Sequence, residues 1–471
     1  MKSFKVISLV VAVCFIMTTV LAGCGNTNNQ AASTEASTTA QAGSTTATAG
    51  STTAAPAEIE KVTFVTQAND QMTETEKQFR AAYDADFELV ALPGNELLPK
   101  IQVDAMSGTN AYDVYSTGQG AVQFGLSGIA DELPKLDDWE DIFPGLRANY
   151  QFGDKIYGWP VQSDTCLLYW RTDLLEKAGY KEPPKTYDEF REMAIKMTED
   201  VNGKHPGEAG FDANNIAIYG SNYKGGNVDA NTWEFYNLML ANGAKTHEID
   251  YTNNTYKITI NEKPAVDTLT WVVDNYRKYN IYPKGAVNND WAEFHTMFVE
   301  GKVALAINFA YMFDMADAAD SKIKDKFSVG LMPKGTVKNG AEIGGWVISL
   351  AKNSQKKEDA LRLMKFLASS KGSTIFADTQ GAMVPRQSDF RKKIDAAHGS
   401  EKLKLEQCLA NLNNAESVDL LKTGATYDAA LKIMNATINT ALTGKVTPQE
   451  AMDSAKEQIE KLLQSDSFMK E

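Results

Sequence analysis

The sequence predicts an α/β protein, and three observations carry that reading. Two-residue and 3.6-residue apolar periodicities alternate through residues 59–115, as strands alternating with helices require. Helix start signals recur downstream, each followed by an amphipathic run. The chain has 471 residues of which 43% are hydrophobic, enough for sizeable cores in two or three structural units.

The first strand is expected at 59–66, where Val62 and Phe64 alternate with Lys61 and Thr63. Thr73 and Glu76 have the spacing of a capping box, with an amphipathic helix through Phe79 and Tyr83 behind it. A second strand follows at 87–90, a helix at 96–107 and a short buried strand at 112–115. Strand–helix alternation in this order predicts a largely parallel sheet, because parallel neighbours need a crossover. Further on, Thr186/Glu189 offers a capping box for a helix through 190–197, and 357–367 reads as another helix. The Thr447-Pro448-Gln449-Glu450 run combines an N-cap, proline at the first helical position and a box-closing glutamate. It sets Met452, Ala455, Ile459, Leu462 and Leu463 on one face of the helix behind it.

Composition excludes several functions. With 47 Lys+Arg against 61 Asp+Glu the formal charge is −14, the wrong sign for displacing counterions from nucleic acid or for docking on anionic lipid. Four Cys and four His leave little for a disulfide framework or metal cage. Cys166 and Cys408 are expected as two separate buried thiols, with a bridge between them also open. His205, His247, His295 and His398 show no ligand spacing and are read as surface or core. The acidic run at 131–142 lacks the spacing and glycine of a calcium loop and is read as a solvated face. No cofactor or metal is expected.

The first sixty residues carry an address. Lys2 and Lys5 precede an apolar run at 6–20, and small residues follow, the pattern of an export signal at 1–23. Leu21-Ala22-Gly23-Cys24 resembles the bacterial lipobox. That resemblance implies cleavage before Cys24, a diacylglyceryl group with palmitate-type chains on its sulfur, and an anchor on the outer face of the cell membrane; an ordinary signal with a coincidental Cys is the other reading. Residues 24–57, built from Ser, Thr, Ala and Gly with the single charge of Glu35, cannot bury enough surface to offset their ordering entropy and read as a tether. The run at 6–20 is itself somewhat short for a bilayer span of about 20 residues, and no further transmembrane run follows.

Catalytic motifs are absent. No nucleophile elbow, P-loop or zinc-protease helix occurs, and Gly118-Gln119-Gly120 lacks the third glycine and acidic partner of a dinucleotide site, so it reads as a loop.

Four blocks in order resemble the bacterial extracellular solute-binding proteins of family 1, the maltose-binding-protein-like receptors of ABC importers. They are 154–194, with its hinge strand, aromatic strand and Pro183-Pro184-Lys185-Thr186; 298–313 (FVEGKVALAINFAYMF); 327–390, with Leu331-Met332-Pro333, Gly344-Gly345-Trp346 and Gly381-Ala382-Met383-Val384-Pro385; and Leu442-Thr443-Gly444 through Ala451. The resemblance implies a two-lobed, type II periplasmic-binding-protein-like α/β fold with discontinuous lobes and a hinge. Lobe 1 would comprise 58–161 and 348–395, and lobe 2 would comprise 165–342 and 396–471, with crossings near 160–164, 344–347 and 396. It also implies a monomer that binds a carbohydrate between the lobes, performs no catalysis and hands the guest to a membrane permease.

Sugar rings present apolar C–H faces and hydroxyl rims, so such a site needs aromatic platforms edged by carboxylates and amides. Carried over position by position, the resemblance places Tyr311 and Trp233 at stacking positions and Asp164 at a carboxylate just after Pro160. It sets Gln119, Asn69 and Asp70 where lobe 1 supplies polar contacts, and faces Trp346 into the cleft. Thr117 stands where the family has a tryptophan, which removes one platform. Two alternatives keep weight: the same fold around a polyamine, organic phosphate or metal, and a secreted glycan hydrolase.

Overall fold

Two sheets organise the chain, and both are built from segments distant in sequence. The computed structural model describes residues 59–464 except 70, 251, 254 and 417–425, with backbone alone at 94, 95 and 119. The leader at 1–23, Cys24, the tether and Asp70 therefore lie outside the described residues, as does the side chain of Gln119.

The first sheet runs in the order Phe87–Leu92, Val62–Gln67, Val114–Ser116, Val347–Leu350, Trp159–Pro160. Its first three strands are parallel, with Phe64 opposite both Leu89 and Val114, and helices Met72–Ala82 and Gly94–Ser107 make the crossovers between them. The last two join antiparallel.

The second sheet runs Phe327–Gly330, Asp164–Arg171, Val303–Phe309, Ile216–Ser221, Glu199–Asp200, with Ile343–Gly344 also paired onto Asp164–Thr165. The parallel pairing expected from residues 59–115 holds for the three first-sheet strands of that stretch, whereas this second sheet is mostly antiparallel. Only Val303–Phe309 and Ile216–Ser221 pair in parallel; the other pairings are antiparallel. Asp164–Arg171 enters from the other sheet and Glu199–Asp200 reaches Ile216–Ser221 through a loop, so neither pairing needs a crossover helix.

The chain passes between the sheets on two neighbouring segments. Pro160 pairs with Val347 in the first sheet, while Asp164 pairs with Gly344 in the second. Between them Gly345 has φ +147°, and a Cβ there would lie 2.3 Å from the Gln162 carbonyl oxygen, so only glycine fits this crossing. The Tyr150 hydroxyl donates to the Gly345 carbonyl at 2.8 Å and ties the crossing down.

Local signals fared differently. The Thr447/Glu450 capping box forms in both directions, and Met452, Ala455, Ile459 and Leu463 are buried behind it while Leu462 is half-buried. The Thr186 hydroxyl accepts from Glu189 N, but the Glu189 carboxylate takes Lys185 N instead of Thr186 N. The Thr73/Glu76 box does not form. The Asn69 side chain accepts from Gln71 N at 3.1 Å, an Asx turn that starts the helix early and leaves Thr73 inside its first turn. Cys166 and Cys408 are both buried and unbridged. The acidic run splits into separate partnerships, Asp131 with Lys352 and Lys357, and Asp138 with Arg386.

Candidate functional site

The carboxyl ends of the parallel strands, where α/β proteins bind ligands, converge on one cleft of about 730 Å³. The first-sheet side contributes Gln67, at the end of strand Val62–Gln67, and the turn Thr117–Gly118, just past strand Val114–Ser116. Leu97, Leu98 and Pro99 add an aliphatic rim. The second-sheet side is aromatic. Phe309 ends strand Val303–Phe309 and Tyr311 follows just before helix Met312–Asp317; their rings are nearly parallel, 6.5 Å apart and 17° between planes. Trp291 opens helix Trp291–Val299 behind a complete Asp290/Glu293 capping box and sits 5.8 Å from Phe309. Trp233, on helix Asp229–Ala241, completes that wall. At the crossing, Trp346 lies over Gly118, where a Cβ would sit 3.5 Å from the indole.

Charge in the cleft comes from Asp164, Asp229, Asp428 and Lys432. Asp164 keeps a partial opening to the cleft, yet dense surroundings push its carboxyl up to about 7, against the backbone N–H groups of Thr165 and Ala310 that favour the carboxylate. Glu342 is fully buried nearby. Burial first, and the Asp164 charge second, hold it well above the usual carboxylate range, and its carboxyl oxygens have no hydrogen-bond partner among the described residues. Gln162, buried and lining the cleft, has an unpartnered Oε1. Behind the aromatic wall, Lys224 and Glu234 form an ion pair at 2.9 Å. Contacts between the two sides include Gln123 Nε2 donating to Asp428 Oδ2 at 3.3 Å and Ile249 packing against the cluster of Val122, Phe152 and Tyr157.

Of the residues singled out in the sequence, Trp233, Tyr311, Trp346 and Asp164 come together around this cleft. The flanking Gly118 and Gly120 place the backbone of Gln119 there too. Asn69 stands apart from the lining: its amide donates to Gln380 at 2.6 Å and its oxygen makes the Asx turn, both within the first-sheet side. Thr117 is buried at the cleft edge, 3.3 Å from the Ser349 hydroxyl. Sequence reading missed Trp291, Phe309, Gln162 and the start of helix Tyr427–Thr443. Phe309 carried a usable signal, the period-two spacing to Tyr311. Trp291 and Gln162 carried none, because their place in the site depends on which segments the fold brings together.

A two-sheet α/β molecule with adjacent crossings and an amphipathic cleft at the strand ends is a type II periplasmic-binding-protein-like, two-lobed solute-binding protein. The chain matches the bacterial extracellular solute-binding protein family over residues 63–374 and belongs to it. It is 25% identical to a probable ABC transporter-binding protein of Deinococcus radiodurans over 68% of this chain and 72% of that one. A mannitol-binding protein of Pseudomonas aeruginosa is 22% identical, over 74% and 78%. Among solved structures, maltose-bound MalE3 of T. maritima superposes with a TM-score of 0.70 at 23% identity, covering 85% of this chain and 99% of that one. The family consists of substrate-binding proteins of ABC transporters, and no helix among the described residues is long and apolar enough to cross a membrane.

Proposed function

We propose that this chain is the receptor of an ABC importer for a carbohydrate, an oligosaccharide in the first place, which it binds unaltered between its lobes and presents to the permease. The observation that carries this reading is the composition of the cleft: Trp233, Trp291, Phe309, Tyr311 and Trp346 share one cavity with Asp164 and Gln162. Flat apolar faces beside hydrogen-bonding edges match the two faces of a sugar ring, whereas an organic phosphate would want a cluster of Arg and Lys. Lys432 is the one cationic side chain among the described residues lining the cleft. A mannitol-binding relative and a maltose-bound structural neighbour support the same chemistry.

The lobes are assigned to 58–161 with 348–395, and to 165–342 with 396–471, in keeping with the membership of the two sheets. Cys24 is the lipidation site in this reading, placing a monomeric receptor on the outer face of the membrane, with residues 24–57 as its tether. The receptor performs no reaction on its guest.

A thermal-shift screen over mono-, di- and oligosaccharides and polyols, with chromatography of each mixture, tests the reading. A true ligand at about 100 times its Kd stabilises by about 2.7 kcal/mol and is recovered intact. No stabilisation by any sugar or polyol, or release of a hydrolysis product, overturns it.

A further inference from the structure

We propose that His295, which does not itself line the cleft, is a positioning residue for guest recognition: it fixes the Tyr311 and Trp291 rings as one rigid platform. This rests on the reading of the cleft as a sugar site.

His295 projects from helix Trp291–Val299 and is 8% exposed. Its Nε2 lies 2.8 Å from the Tyr311 hydroxyl, and its ring meets the Tyr311 ring edge to face at 5.1 Å and 85°. One helical turn back on the same face, Trp291 lies 6.3 Å away at 32°. A single imidazole therefore touches two of the rings that face the cleft, from behind. It also links two elements that meet only through tertiary packing, helix Trp291–Val299 and the segment after strand Val303–Phe309.

Tyr311 needs such a restraint. Its ring is half-buried and follows the end of the strand, so no ladder hydrogen bond of its own residue sets its tilt. Asn308 also faces the phenol and Asp164 lies close to it. With the hydroxyl tethered, the ring stays nearly parallel to Phe309. A platform held in place before the guest arrives does not have to be ordered by binding, which is the physical source of the affinity gain.

The surroundings keep the imidazole suited to this role. Burial and the Lys224 ammonium push it down to about 4. Lys224 Nζ sits 3.9 Å from the centroid of Phe294 and 5.0 Å from that of Trp291, and its charge is balanced by Glu234. A neutral imidazole has one donor and one acceptor nitrogen, so it holds the phenol without bringing a second cation beside Lys224.

The test is a set of variants with a sugar taken from the screen as probe. His295→Phe keeps the packing volume and loses the hydrogen bond, and should raise Kd by about three- to tenfold, the range of one net hydrogen bond. Tyr311→Phe should do the same, and the double variant should be no worse than either single one. His295→Gln, which retains a hydrogen-bonding group, should recover most of the affinity. Unchanged affinity in His295→Phe, additive losses in the double variant, or equal losses in His295→Phe and His295→Gln overturn the proposal. A readout without ligand separates it from the sugar reading: the ¹⁵N shifts of the His295 imidazole should show no titration between pH 5 and 8 and should move on Tyr311→Phe. If no sugar binds but these signatures appear, the tether stands and the sugar reading falls. If the imidazole titrates normally or ignores Tyr311→Phe, the tether itself falls.

Discussion

Lys224 and Glu234 form a salt bridge at 2.9 Å with side-chain exposures of 2% and 6%, directly behind the aromatic wall of the cleft. Few charges in this chain are so completely withdrawn from water. Burial pushes the Glu234 carboxyl up even with the ammonium beside it. The pair holds the Tyr223–Gly226 loop, since Glu234 also accepts from Lys224 N at 3.1 Å. Lys224→Met leaves a buried carboxylate without its partner and is expected to destabilise the fold by about 3–5 kcal/mol. Lys224→Met with Glu234→Leu should recover most of that loss. Urea unfolding of the three proteins checks both statements.

Asp164 gives a pH signature with a definite sign. Its carboxyl is pushed up to about 7 in the fold, well above the ordinary aspartate range. The folded state therefore binds this proton more tightly than the unfolded chain does. Stability from this group is fully present below the unfolded value and is lost as pH rises through the window up to about 7. Asp164→Asn should raise the melting temperature of the ligand-free protein at pH 8 and leave it nearly unchanged near pH 4. Calorimetry across that range reads the difference; an equal shift at both pH values contradicts the assignment.

The platforms make separable predictions. Trp233→Ala and Trp346→Ala should each weaken sugar affinity by about 1–3 kcal/mol, taking stacking of planar bases on aromatic side chains as the guide. Asn69→Ala should leave affinity near wild type, because Asn69 is engaged with Gln380 and the Gln71 turn. Isothermal titration with the same sugar compares all three.

Closure is open to test at Ile249. This residue lies on hairpin strand His247–Asp250 and packs across the cleft on Val122, Phe152 and Tyr157. Ile249→Ser removes apolar contact at a half-buried site and should bias the ligand-free molecule towards a more open form. Small-angle scattering would report a larger radius of gyration, and stopped-flow a faster ligand release.

Cys24→Ala is expected to shift the protein from the membrane fraction to the soluble exported fraction. Fractionation with labelled fatty acid reports both location and acylation, and retention on the membrane contradicts the lipobox reading.

Local chemistry was legible wherever the determinant lies within a few residues. The alternation through 59–115, the Thr447/Glu450 box and helix Lys357–Leu367 could all be read in advance, because capping and amphipathic periodicity act over one or two turns. The family resemblance also singled out Trp233, Tyr311, Trp346 and Asp164, which the structure gathers around one cleft. Tertiary structure alone decided the strand directions of the second sheet, the recruitment of Trp291 and Gln162, and the setting of His295 behind Tyr311. Those depend on contacts between segments far apart in the chain, where pairing direction and burial are fixed by what packs opposite. The failed Thr73/Glu76 box has the same lesson at short range: Asn69 competed for the turn and won, because its side chain reached Gln71 N before the helix could begin at Thr73.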